Sequence, residues 1–408
     1  MSADSLRKRN SPAATAAAAA DGKAKTKADI ANPEAVFEPP NFTIAEVRAA
    51  VPAHCFERSN LISFGYVFVD LVFVALFAWL ASHIDEAWFP APLRFVAWPL
   101  YWFCQGCVCT GLWVCAHECG HYAFSPSKTV NDWTGFVLHT ALLVPYHSWR
   151  ITHSNHHKRT NHMTLDQVFV PKTRDYLGVA EDDERITPAY HHDSIYEDSP
   201  IYVVGNILGY TLLGWPMYLW RNAHGPSYAK GESHLSPDAK LFEPRHRNQI
   251  IASVIGIYVM LGVLGYASYL YGAWAVFKYY FVPYINVNFW LVTITYLQHT
   301  HAEVPHYTDA EWTFLRGALS TIDRDFGFLN IVFHHITDTH VAHHVFSQMP
   351  HYHAQEATAA LKKKLGKHYH FDSTPWYKAL YNCMARCKFV DYSDGNIMFY
   401  RHLAAPAN

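Results

Sequence analysis

The chain has 408 residues, half of them hydrophobic and only 16% charged, against about 25% charged in an ordinary soluble domain. A formal net charge of −2 with histidine neutral excludes nucleic acid as a partner on electrostatic grounds. Low charge with 13 Trp, 26 Tyr and 25 Phe fits a membrane protein whose rings gather at the headgroup level.

Residues 1–40 are rich in Ala, Lys, Ser and Pro, carry Arg7-Lys8-Arg9 and have no apolar run. They read as a disordered cytosolic tail without a secretory signal. Residues 41–400 form one membrane domain, and 401–408 a short C-terminal tail. Within the domain, 61–82 is apolar with the single acid Asp70, long enough to cross a bilayer. An acidic loop at Asp85-Glu86 leads to a second run, 93–116. Arg48 and Arg58 precede the first run, so the positive-inside rule puts the N-terminus in the cytosol and the acidic loop in the lumen. The sequon Asn41-Phe42-Thr43 should then stay without a glycan.

Residues 135–146 are apolar over too short a length to span and read as interfacial. Residues 171–198 are polar and Pro-punctuated, a cytosolic loop. Residues 201–220 are apolar but contain Asn206, three glycines and Pro216. Two stronger runs follow, 250–271 and 277–297. The spacing therefore predicts an all-α integral membrane protein with about four transmembrane helices in two hairpins. Segments 135–146 and 201–220 would lie along the interface, or in the second case dip in and return, and a cytosolic helical cap would complete the fold. Cys104, Cys107, Cys109 and Cys115 sit in an apolar stretch and read as small hydrophobes, as do Cys383 and Cys387.

Three clusters carry the chemistry: His117-Glu118-Cys119-Gly120-His121, His153-Ser154-Asn155-His156-His157 and His340-Val341-Ala342-His343-His344. Helix positions three and four apart share a face, so each cluster can aim its rings at one spot. Neutral imidazole is a common transition-metal ligand, and eight rings suit more than one ion. Isolated histidines such as His54, His83, His224, His246 and His368 read as packing or surface residues.

His117-Glu-x-x-His121 also matches the zinc-protease pattern, with Glu118 as general base. A zinc hydrolase needs only one further protein ligand, which leaves most of the clustered rings without a role. Glu118 fits better as a carboxylate behind the ligands, accepting an imidazole N–H. A metal transporter is the other competitor, but transporters place their ligands near mid-bilayer, whereas these clusters lie at or beyond the ends of the runs.

HECGH, HSNHH and HVAHH, in that order, resemble the three histidine boxes of membrane fatty-acid desaturases. The flanking segments HECGHYAFSPSKTVND, LLVPYHSWRITHSNHH, TYLQHTHAEVPHY and ITDTHVAHHVFSQMPHYHAQEAT are most similar to the methyl-end branch, the Δ12 (oleate) desaturases and their ω3 relatives. The resemblance covers about residues 40 to 400. It implies His117, His121, His153, His156, His157, His340, His343 and His344 as ligands of two iron ions. A ninth histidine would come from the end of the last run. His299 is preferred to His301, the two being about 200° apart on a helix. Asp338 is implied as an acceptor behind the ligands, with His334 and His335 outside the set.

The implied reaction is O2-dependent desaturation of oleoyl to linoleoyl. An ω3/Δ15 or bifunctional desaturase and a fatty-acyl hydroxylase remain open. The substrate would be an acyl-lipid of phosphatidylcholine type or an acyl-CoA. Cytochrome b5 and its reductase would be separate electron donors, since no His-Pro-Gly-Gly haem signature occurs. The expected location is the endoplasmic reticulum membrane, with the site and both termini cytosolic.

Overall fold

The computed structural model describes residues 37–183, 185–189 and 199–403. Nearly all of the expected N-terminal tail, the end of the 171–198 loop and most of the C-terminal tail lie outside the described residues.

Helix α1 (Ile44–Ala50) opens on a capping box, in which Thr43 Oγ1 accepts from Glu46 N and Glu46 accepts from Thr43 N. The threonine of the sequon is thus occupied as a helix cap. Helix α2 (Asn60–Ser82) starts at the cap Ser59. Helix α3 (Arg94–Gly120) carries Pro99 in its second turn and runs four residues past the predicted end, through the first histidine cluster. Helices α4 (Lys128–Ala141) and α5 (Tyr146–Lys158) follow. The apolar window 135–146 is therefore not one segment. It straddles a break at Leu142–Pro145, where Leu143 takes a positive φ of 54°.

Helix α6 (Pro200–Arg221) is continuous through Pro216, so the expectation that this stretch dips in and returns is corrected. The proline's missing N–H falls in the last turns and does not stop the helix, which packs against α8. Helix α7 (Arg247–Tyr271) turns at Gly272 into a short helix and a π turn at Phe277–Phe281, then α8 (Val282–His299). Like α3, α8 overruns its predicted end; its last residue is His299.

Among the described residues, two helices are long and apolar enough to cross a membrane, Asn60–Ser82 and Pro244–Tyr271. Only 17% and 22% of their most apolar windows are buried. Leu61, Phe68, Trp79, Tyr258 and Val259 point outward, an apolar surface that suits lipid and not water. Helices α3 and α8 are more buried: α3 packs against both α2 and α8, while α7 lies against α4 and α5. At one end the α2–α3 and α7–α8 turns meet: Asp85 pairs with Lys278, and Trp102 Nε1 donates to Lys278 O at 2.9 Å. At the other end Ser63 Oγ donates to Phe124 O at 2.7 Å, and Ser59 N to the Tyr352 hydroxyl at 2.7 Å.

That second end carries a cap of short helices, α9 (Phe314–Leu319), α10 (His340–Val345), α11 (Ala354–Leu365) and α12 (Trp376–Arg386). Three two-stranded pairings stitch it together. Strand β1 (Ile186–Pro188) runs antiparallel to β6 (Arg401–Leu403), β2 (His306–Tyr307) antiparallel to β5 (Ile397–Met398), and β3 (Asp323–Arg324) parallel to β4 (Phe371–Asp372).

Candidate metal centre

Four elements bring the clustered imidazoles together: the last turn of α3, α5, the end of α8 and α10. In α5 the spacing of His153, His156 and His157 puts three rings on the inward side, as the i, i+3, i+4 rule requires. The rings form two groups. His117, His121, His153, His157 and His343 have one nitrogen each within 4.8 Å of all the others. His156, His299 and His344 form a second such group. His340 joins it, with its Nε2 3.1 Å from that of His299. The stacked rings of His157 and His344, centroids 4.0 Å apart, connect the groups.

In the first group four Nε2 atoms lie in a row, His121–His117–His153–His157, at 3.3, 2.9 and 3.1 Å. In the second, His156 and His299 Nε2 are 3.3 Å apart. Ligands on adjacent corners of an octahedral ion with arms of 2.0–2.1 Å stand about 3.0 Å apart, so these separations fit shared cations. Burial first, and neighbouring rings second, hold His153, His157, His340 and His344 well below the ordinary imidazole pKa, and His343 down to about 3. These five rings are neutral at physiological pH, the form that binds metal. Nε2 of both His343 and His344 is buried without a hydrogen-bond partner. A cation at each would satisfy both by taking their lone pairs.

Behind the rings, Asp166 Oδ1 lies 2.7 Å from His156 Nδ1, and Thr160 Oγ1 3.1 Å from His344 Nδ1. Glu118 is fully buried. One oxygen accepts the His351 backbone N–H at 3.0 Å, and the other is 3.5 Å from His117 Nδ1 and 3.9 Å from His343 Nδ1. That geometry turns the carboxylate away from a protease-type water and towards the backs of two rings. Asp338 bonds His335 at 3.1 Å and none of the nine rings, a correction to its expected position. Sequence reasoning missed Asp166. Its only signal was being the sole carboxylate in the segment Thr160–Val170 that follows the second cluster.

His301 lies apart from both groups, next to Arg324 and Asp372. His299 instead stacks on Phe169, interplanar angle 16°. Trp149 stacks on His153 in the same way, at 20°. Phe169, Trp149, Trp113, Tyr210, Trp215 and Leu291 wall an apolar cavity that reaches His153. His224, read from sequence as a packing residue, also lines this cavity.

Residues 94–376 match the family profile described as fatty acid desaturase, and residues 7–79 match a domain of unknown function. A Delta(12) fatty acid desaturase of Mortierella alpina is 50% identical over 370 residues, covering 90% of this chain and 92% of the relative. A Delta(12)-acyl-lipid-desaturase of Punica granatum is 48% identical over 87% of this chain and 88% of its own. An omega-6 fatty acid desaturase, endoplasmic reticulum isozyme 1, of Glycine max is 45% identical over 89% and 91% respectively.

Proposed function

The chain belongs to the fatty acid desaturase family, and from that premise we propose that it converts oleoyl to linoleoyl chains by Δ12 desaturation. The observation that carries this reading is the pair of imidazole groups set against an apolar cavity of the protein. The relatives named as Δ12 enzymes, at 45–50% identity over about nine-tenths of the chain, supply the regiochemistry. A zinc hydrolase is disfavoured, because five imidazoles in one group exceed the three protein ligands of a catalytic zinc.

The metals we assign are two irons, which imidazole suits. The first group, His117, His121, His153, His157 and His343, would hold one, and His156, His299, His340 and His344 the other. When bound, the irons supply the O2-derived oxidising power that an unactivated C–H bond requires. The protein's own residues do the rest. Asp166 fixes the tautomer of His156, and Glu118 backs His117 and His343. The aromatic walls of the cavity exclude water and hold one stretch of methylenes beside His153. Selecting which carbon pair is presented falls to that cavity.

Four spans are supported by the contacts between α5 and the start of α7. Arg150 Nη2 donates to Gln249 Oε1 at 3.2 Å, and His147 N to Ser253 Oγ at 2.9 Å. The chain therefore leaves and re-enters the membrane region on the same side between α5 and α7, which argues against α6 crossing alone. The membrane is taken to be that of the endoplasmic reticulum, with the site cytosolic, from the basic N-terminal flank and the soybean relative's name. Cytochrome b5 and its reductase are the proposed electron donors. The substrate we favour is an acyl-lipid, as in the pomegranate relative's name.

Expression in a yeast lacking polyunsaturated lipids, followed by fatty-acid analysis, tests the reading. New 18:2 is expected. Its absence rejects Δ12 action, 18:3 indicates ω3 action and a hydroxy acid indicates oxygen insertion.

A further inference from the structure

Away from the nine rings, four metal-ligating side chains from distant parts of the sequence meet near the surface of the cap. The single turn Ala53–Phe56 carries His54 and Cys55. The turn His351–His353 and the start of α11 carry His353 and Glu356. One donor atom of each lies within 4.8 Å of all the others. His54 Nε2 is 2.8 Å from Glu356 Oε2 and 3.8 Å from Cys55 Sγ, and the two imidazoles meet edge to face at 5.6 Å. Cys55 is fully buried, while the side chains of His54 and Glu356 are 52% and 51% exposed.

A plain surface ion pair accounts for His54 and Glu356 alone, and such exposed pairs contribute little to stability. It gives no reason for a second imidazole and a buried thiol to converge on the same point. One thiol, two imidazoles and one carboxylate make four donors, the number of a closed tetrahedral zinc site. With a single carboxylate the set is poor for calcium or magnesium, which take oxygen ligands. Tetrahedral zinc sets its donors about 3.3–3.6 Å apart, so the exposed, rotatable His54 and Glu356 need move by only about an ångström.

We propose that His54, Cys55, His353 and Glu356 bind a structural zinc ion that ties the segment before α2 to the helix after the third histidine cluster. Without a cation, burial and then the Glu356 carboxylate push the Cys55 thiol up. A divalent ion reverses that balance, and the thiol proton passes to solvent on binding. Cys55, Val47 and Val51 share one apolar cluster with Val341, Ala342 and Val345 of α10 and Ala357 and Leu361 of α11. The zinc thereby pins the layer on which His340, His343 and His344 are mounted. This site is independent of the desaturation reading and stands or falls separately.

The test uses the full-length, iron-loaded protein in detergent, equilibrated with zinc, with both metals measured per chain. Wild type is expected to hold one zinc beyond its iron. His54→Ala, a change at a half-exposed position that the fold tolerates, and Cys55→Ser should each lose that zinc and keep the iron. With cobalt in place of zinc, wild type should show a sulfur-to-cobalt charge-transfer band that Cys55→Ser lacks. Equal zinc content in all three proteins, no zinc in wild type beyond the iron sites, or a cobalt band that survives Cys55→Ser would overturn the assignment.

Discussion

His156 Nδ1 lies 2.7 Å from Asp166 Oδ1, and both side chains are buried to within 1%. The same carboxylate accepts the backbone N–H groups of Asn161, Val168 and Phe169, at 3.0, 2.9 and 3.1 Å. Those bonds hold the acid still, and the acid in turn orients the ring, leaving Nε2 free to face His299. Losing an acceptor of this kind typically costs 10–100-fold in metal affinity or activity. Asp166→Ala should therefore lower iron content and activity by about that factor, while Asp166→Asn, which keeps one acceptor oxygen, should lose less. Iron per chain and 18:2 yield measure both. Equal loss in the two variants would mean that the backbone bonds, and not the ring, are what Asp166 serves.

His299 and His301 separate cleanly by environment. His299 Nε2 stands 3.3 Å from that of His156 and 3.1 Å from that of His340, whereas His301 accepts the Glu303 backbone N–H at 3.2 Å. His299→Ala should abolish activity and lower bound iron. His301→Ala should retain the iron. Metal analysis of the two purified variants decides between them, and iron loss confined to His301→Ala would reverse the assignment.

The ring clusters were legible because helix periodicity alone puts residues three and four apart on one face. The overrun of α3 and α8 was less visible, because hydropathy fades at Ala116 and Leu297 although the backbone helix does not stop there. Polar ligands at a helix end look like a terminus to a hydrophobicity reading. Asp166 was invisible for a different reason: its role depends on a loop folding back onto α5, a contact with no period. Asp338 shows the converse, a carboxylate close in sequence to His340 that the local turn commits to His335. The break at Leu142–Pro145 was signalled by Pro145 itself, but an apolar window averages over it.

Asp323 gives the cap a pH dependence. It is fully buried, accepts the Val341 backbone N–H at 2.9 Å and receives the Tyr369 hydroxyl. Burial lifts its carboxyl to about 6 in spite of those bonds, which pull it down. A folded-state pKa above the unfolded value means the contribution is fully present below about pH 4 and is lost as pH rises through about 6. Asp323→Asn can keep both contacts, its carbonyl accepting from Val341 and its amide donating to Tyr369. Relative to the wild type, the variant should gain about 1.4 kcal/mol between pH 5 and pH 7.5. Thermal unfolding at the two pH values measures this, and a constant difference between the proteins would contradict it.

Arg324 anchors the end of α8 to the C-terminal part of the cap. Its side chain is fully buried and pairs with Asp372 across the β3–β4 strand pair. It also donates from Nε to Leu297 O at 2.7 Å and from Nη2 to Thr300 O at 3.2 Å. Those two carbonyls flank His299, so the guanidinium fork fixes the backbone that presents the ring. Asp372→Ala leaves a buried cation without its partner, a change that costs about 3–5 kcal/mol when the site is dry. Asp372 is itself 19% exposed, which places the expected loss near the lower bound, about 3 kcal/mol. Arg324→Lys keeps the charge but loses the planar fork, since an ammonium cannot meet two carbonyls and a carboxylate in that plane. The lysine variant should therefore unfold at a lower temperature and bind less iron even where it remains folded, because the backbone around His299 is no longer held. Full iron content in folded Arg324→Lys would limit the arginine to a stabilising role and detach it from the metal centre.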